Sequence, residues 1–228
     1  MTPVRKAEKR KARVPHRTRE TSNRVPMHVI QTFRPEVPQP HWRKVQPIVR
    51  RCLRVTQERY GITVAHAALM PGHAHLVIEV PADARPLGDA MRFLSSKIAL
   101  ELKETFGTRG PIYQDRYWSR VLGSLSEAVR VIRYVALNPV KARLCRQPAD
   151  WAGSSVRDYL DGTLATSPWR FRGWMFRTLG FFDDPRRALL AILNGERRPV
   201  VARGGRQQKL PFEKGLSLPR VSRRRISF

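Results

Sequence analysis

Two apolar runs, Ile62 to Leu69 and His73 to Val80, flank Met70-Pro71-Gly72. No other feature limits the fold of this chain as tightly. Proline presets φ and glycine tolerates positive φ, so the pair marks a tight turn. Strand-length runs on either side of such a turn make an antiparallel hairpin. Side chains alternate along a strand with period two. His73 and His75 therefore share one face, and Ala74 takes the other. Two neutral imidazoles on one rigid face can hold a divalent metal, although a lone His-x-His is more often an ordinary strand pair.

The flanking patterns extend the hairpin into a fold. Met27 to Phe33 reads as a strand bounded by prolines. Val45 to Tyr60 has the three-to-four spacing of a helix and ends at Gly61. Leu87, Met91, Leu94, Ile98, Leu102 and Phe106 form the stripe of a second helix that stops at Gly107. Ile112 to Leu122 reads as a strand. Ser126 to Leu137 reads as a third helix, with Ser124 and Glu127 at capping-box spacing and Pro139 after its end. Strand, helix, strand, strand, helix, strand is the βαββαβ order of a ferredoxin-like α+β fold. Such a fold has an antiparallel sheet with two helices on one face. The histidine strand should lie centrally, and the third helix, a ligand or a partner should cover the free face. The fold hosts many functions and decides none by itself.

Charge narrows the partners. The chain has 228 residues, with 44 Lys plus Arg against 18 Asp plus Glu, a formal charge of +26. That excess favours a polyanion, because each neutralised phosphate releases counterions; an anionic membrane surface is the rival. No run of about 18 apolar residues predicts a membrane span, and the basic, polar first 24 residues lack the apolar middle of a signal peptide. Cys52 and Cys145 lie far apart in apolar patterns and read as reduced buried thiols. A cytoplasmic protein is expected. Residues 1–25 and 197–228 read as basic arms, 26–149 as the main domain, and 150–196 as a small helical extension with Trp151 to Asp158, Trp174 to Leu179 and Pro185 to Leu193 among its patterns.

Three segments carry a resemblance. They are Met70-Pro71-Gly72-His73-Ala74-His75-Leu76-Val77-Ile78, then Ile112-Tyr113-Gln114-Asp115-Arg116-Tyr117-Trp118, then Ile132 through Leu144, which includes Tyr134, Asn138 and Pro139. In this order, residues 26–145 resemble the HUH-class tyrosine transposases, and most of all the insertion-sequence 200/605-like and REP-associated tyrosine transposases. Ala74 is smaller than the residue usual between the histidines, and Gly72 stands where a polar residue is common. The resemblance implies that His73, His75 and Asn138 bind Mg or Mn and that Tyr134 attacks the scissile phosphodiester. The tyrosine becomes joined to the 5′ phosphate and a 3′ hydroxyl is released. The implied substrate is single-stranded DNA with a hairpin near the cut, and a homodimer is an admissible assembly.

Physical chemistry supports the same roles. A phenol with a reference pKa near ~10 is a weak nucleophile that needs a cation or base nearby. A divalent ion supplies the charge stabilisation, and zinc is chemically admissible beside Mg and Mn. Residues 134 and 138 share a helix face. Each residue alone has a plainer reading, Tyr134 as a core aromatic and Asn138 as a helix terminator before proline. His66 and Glu79 are weaker ligand candidates, and Tyr113 and Tyr117 are rival nucleophiles. Arg116, Arg120, Arg130, Arg133, Lys141 and Arg143 are candidate phosphate contacts. Trp118, Trp151, Trp169 and Trp174 are candidate base-stacking platforms. The alternatives are a single-stranded nucleic-acid-binding module on the same topology, which lacks its strand aromatics here, and a basic structural protein, which would explain the charge but not the three segments.

Overall fold

The computed structural model describes residues 21–22, 25–161 and 185–194. Its elements are β1 (Met27–Thr32), α1 (Gln46–Tyr60), β2 (Thr63–Met70), β3 (His73–Glu79), α2 (Leu87–Phe106), β4 (Trp118–Val121), α3 (Leu125–Lys141), a 3-10 turn (Pro148–Asp150), α4 (Ser155–Leu160) and α5 (Pro185–Asn194). The four strands form one antiparallel sheet in the order β2-β3-β1-β4. This is the expected α+β ferredoxin-like arrangement, with the histidine strand central. The two basic arms lie almost wholly outside the described residues. The expected helix at Trp174 to Leu179 lies outside them too, as do Trp169 and Trp174.

Local chemistry sets the element ends. Gly61 and Gly107 close α1 and α2 with φ of 71° and 63°, and their N–H groups donate to Gln57 and Lys103. Gly72, at φ 77°, follows Pro71 in the hairpin turn. Ser124 caps α3, its Oγ accepting from the Glu127 N–H at 3.2 Å. The Glu127 carboxylate returns to the Gly123 N–H at 3.0 Å rather than to Ser124, one residue short of a full capping box.

Two boundaries differ from expectation. β4 begins only at Trp118. Before it, Tyr113 makes a single bridge to Phe33, and the chain bends through exposed Gln114, Asp115 and Arg116. Ile112 and Tyr117 are buried, so packing draws this segment off the ladder. In contrast, α3 continues past Leu137 and Pro139 to Lys141. Proline lacks one helical donor, but the Ala142 N–H still donates to the Asn138 carbonyl at 2.9 Å, and Pro139 is buried. Asn138 therefore lies inside a helical turn rather than ending one.

The sheet has two distinct faces. Pleat and register put Ala74, Leu76 and Ile78 with Met27, Val29 and Gln31 on the face covered by α1 and α2. His73, His75 and Val77 take the other face, with His28 and Ile30 of β1 and His66, Ala68 and Met70 of β2. α3 and α4 pack on that second face. The outer edge of β2 is closed by the chain after α3: the Leu69 N–H donates to the Gly153 carbonyl at 2.8 Å, and the Ala67 N–H donates to Ser155 Oγ at 3.0 Å. Covering an edge strand removes a template for pairing with other chains. Both cysteines are free; Cys52 is buried as expected, whereas Cys145 is only partly so.

Candidate active site

Strand β3 delivers the two histidines side by side, and α3 lays two of its residues over them. His73 Nε2 lies 3.1 Å from His75 Nε2. Asn138 Nδ2 lies 3.0 Å from the same His75 nitrogen. The ring of Tyr134, one helical turn before Asn138, stands edge-on to His75 with centroids 5.6 Å apart. Tyr134 is half-buried and packs its ring against the core without being sealed in it. Lys141 Nζ sits 5.4 Å from the Tyr134 ring centroid.

The far nitrogens of both histidines are also occupied. His73 Nδ1 is 3.1 Å from the Pro71 carbonyl oxygen, which can only accept. That proton belongs on Nδ1 and leaves the Nε2 lone pair free. His75 Nδ1 is 3.1 Å from His28 Nε2. Burial lowers the pKa of His75 to about 3, helped by the charges of His73 and His28. Burial and then the Arg120 charge lower His28 to about 4. His73 is also lowered by burial, against its bond to Pro71. All three rings are neutral at pH 7, the state a metal ligand needs.

This donor set fits a divalent ion. Metal–nitrogen bonds of about 2.1 Å place two ligands about 3.0–3.4 Å apart at angles between 90° and 109°. The observed 3.1 Å between the two Nε2 atoms lies in that range. Turning the Asn138 amide over exchanges Nδ2 for Oδ1 and so presents an oxygen donor. Among the described residues, no three His, Cys, Asp or Glu side chains form a metal-holding group. An ion here would thus depend on the amide and on oxygens from water or substrate.

The other expected residues separate by position. His66 lies on the same face but under α4, fully buried, with Nδ1 bonded to Ser155 Oγ. Glu79 lies at the far end of β3, opposite Thr63. The Tyr113 hydroxyl is buried on the α1/α2 side, and burial pushes its pKa far up. The Tyr117 hydroxyl points toward Gly88 at the start of α2. Neither rival nucleophile reaches the histidines. Arg116, Arg130, Lys141 and Arg143 are exposed. Arg120 pairs with Glu127, and Arg133 Nε donates to the Leu193 carbonyl at 3.2 Å. Trp118 is 46% exposed on β4 and meets the His28 ring edge-on at 5.7 Å. Trp151 is instead a structural residue, donating to the Leu69 carbonyl at 2.9 Å and stacked on His41. Sequence reasoning missed His28. Its signal was a histidine in the first strand, which the ferredoxin-like order sets beside the histidine strand.

Comparison with known proteins gives three findings. The family model described as "Transposase IS200 like" matches residues 22–138. A search of the curated proteins finds no match. Among solved structures, a REP-associated tyrosine transposase bound to a REP hairpin is similar with a TM-score of 0.56 and 16% identity, over 71% of this chain and 93% of that one. A putative transposase from Deinococcus radiodurans R1 has a TM-score of 0.38 and 16% identity, over 53% of this chain and 95% of that one. At such identities the first of these structures speaks for the fold alone.

Proposed function

The chain belongs to the family of IS200-like transposases, and from that premise we propose that it cleaves and rejoins single-stranded DNA through a Tyr134–phosphate link. His73, His75 and Asn138 would hold a divalent ion, Mg or Mn. One observation carries this reading: the two Nε2 atoms and the Asn138 amide converge within 3.1 Å beside the half-buried Tyr134 ring.

The chemistry balances simply. The Tyr134 phenolic oxygen attacks the phosphorus, an O–P bond forms to the 5′ phosphate, and the P–O3′ bond breaks. The phenolic proton is lost and the departing 3′ oxygen takes one up. The link preserves the phosphoester energy, so the reverse attack by a 3′ hydroxyl reseals a strand. A bound divalent ion would supply charge stabilisation to the phosphate oxygens. Lys141 Nζ, 5.4 Å from the Tyr134 ring centroid, brings a positive charge beside the attacking group and the phosphate. Arg116, Arg130, Lys141 and Arg143 contact phosphates, which fixes register without reading bases. Arg120 and Arg133 join them while also bracing Glu127 and α5. Trp118 offers an exposed ring for an unpaired base. The structurally similar REP-associated protein is bound to a REP hairpin, and a single strand with a hairpin beside the cut is the substrate proposed here.

The test is incubation of the full chain with a hairpin-bearing oligonucleotide and Mn, resolved on a denaturing gel. A covalent protein–DNA adduct should form and should disappear in Tyr134→Phe, with DNA binding retained. Binding without any adduct in the unaltered chain would instead assign a non-catalytic binding module. An adduct that persists in Tyr134→Phe would remove this residue from the reaction.

A further inference from the structure

His28 is 6% exposed, and its contacts are specific. Its ring stacks on that of His75, with centroids 5.2 Å apart and planes 24° from parallel. The edges of Trp118 and Tyr134 close around it at 5.7 and 6.3 Å. Its Nε2 lies 3.1 Å from His75 Nδ1. As a ligand, His75 must present a lone pair at Nε2, the nitrogen that faces His73 Nε2 at 3.1 Å and the Asn138 amide at 3.0 Å. A neutral imidazole has one N–H, and in His75 it must then be on Nδ1, aimed at His28. His28 Nε2 is the acceptor and its own proton sits on Nδ1. His28 lies on the opposite side of the His75 ring from His73 and Asn138, so it cannot join them as a ligand to one ion.

We propose that His28 is a positioning residue: by accepting the His75 Nδ1 proton it fixes the tautomer that aims the His75 Nε2 lone pair toward His73 and Asn138. This inference rests on the metal-site reading above. It also assigns the two ligands different supports. His73 is oriented by the Pro71 carbonyl of its own turn, whereas His75, deep in the sheet, borrows an acceptor from the neighbouring strand. Ligating histidines commonly hand their second N–H to such an outer partner, and losing it costs about 10–100-fold in metal affinity.

The test uses the full chain and Mn itself, titrated by electron paramagnetic resonance, with variants His28→Phe, His28→Gln and His75→Ala. His75→Ala should abolish site binding. His28→Phe should weaken Mn by about 10–100-fold. His28→Gln, whose Oε1 can accept the same proton, should recover most of the loss, which a purely packing role would not predict. Nitrogen-15 shifts of the metal-free imidazoles should place the His75 proton on Nδ1 in the unaltered chain and in His28→Gln, but not in His28→Phe. Unchanged Mn affinity together with an unchanged His75 tautomer in His28→Phe overturns the role of His28 and leaves the metal site standing. Mn binding that survives His75→Ala overturns the metal site instead, and the imidazole shifts then decide the role of His28 alone.

Discussion

An imidazole has two nitrogens, and what holds one decides what the other can do. His66 and His75 occupy the same face of the sheet and are both buried, yet they differ in this respect. Ser155 Oγ meets His66 Nδ1 and α4 covers the ring, and among the described residues nothing bonds its other nitrogen. His75 has an imidazole behind it and another imidazole plus an amide in front. The tyrosines divide the same way: Tyr113 and Tyr117 turn toward the α1/α2 layer, and Tyr134 turns toward the histidines. Lys141 brings its ammonium over the Tyr134 ring. Only the attraction gained as negative charge builds up in the transition state enters the barrier, and for an exposed charge pair that gain is about 0.5–1 kcal/mol. Lys141→Met should therefore slow single-turnover adduct formation by roughly two- to fivefold. A rate equal to that of the unaltered chain would show that the ammonium has no part in the step.

At the scale of elements, α3 and the outer edge of β2 do most to position the site. Tyr134 and Asn138 align because the helix continues through Pro139, which keeps the fourth residue on one face with the first. The segment after α3 then clamps β2 by hydrogen bonds from Gly153 to Ser155. Gly153 is the tightest point. A Cβ there would lie 2.7 Å from the Leu69 carbonyl oxygen and 2.9 Å from Trp151 Nε1. Both atoms are held by the bond between them, at 2.9 Å, so neither moves freely. Gly153→Ala should cost about 1–3 kcal/mol, as overpacking commonly does, and should lower the urea midpoint of unfolding. An unchanged midpoint would mean that the loop can lift from the strand without loss.

The whole molecule should lose stability in mild acid. His66 and His75 are held to about 3 and His28 to about 4, all chiefly by burial. Each ordinarily titrates near 6.5, so the folded state resists protons that the unfolded chain accepts. The contribution is fully present above pH 6.5 and drains away as pH falls toward 4 and then 3. For each fully neutral histidine the slope is roughly 1 kcal/mol per pH unit. Urea midpoints should fall between pH 7 and pH 5, and His66→Gln should flatten that dependence. A midpoint constant across this range would contradict the neutral buried imidazoles.

Period and punctuation in the sequence determined the element order, the Pro71-Gly72 hairpin, the span of α2 and the shared face of His73 and His75. These features are local: a two-residue alternation or a three-to-four spacing is written along the chain and needs no distant partner. The pairing of Tyr134 with Asn138 was legible for the same reason, although the end of α3 was not, because a buried proline is tolerated only once its surroundings are known. Tertiary structure alone decided the rest. Register between β1 and β3 brought His28 behind His75, across 47 positions of sequence. Packing pulled Tyr113 and Tyr117 away from the site and committed Arg120 and Arg133 to partners within the chain. Which nitrogen of a histidine carries its proton depends on what stands opposite it, and that is a property of assembled strands rather than of any one segment.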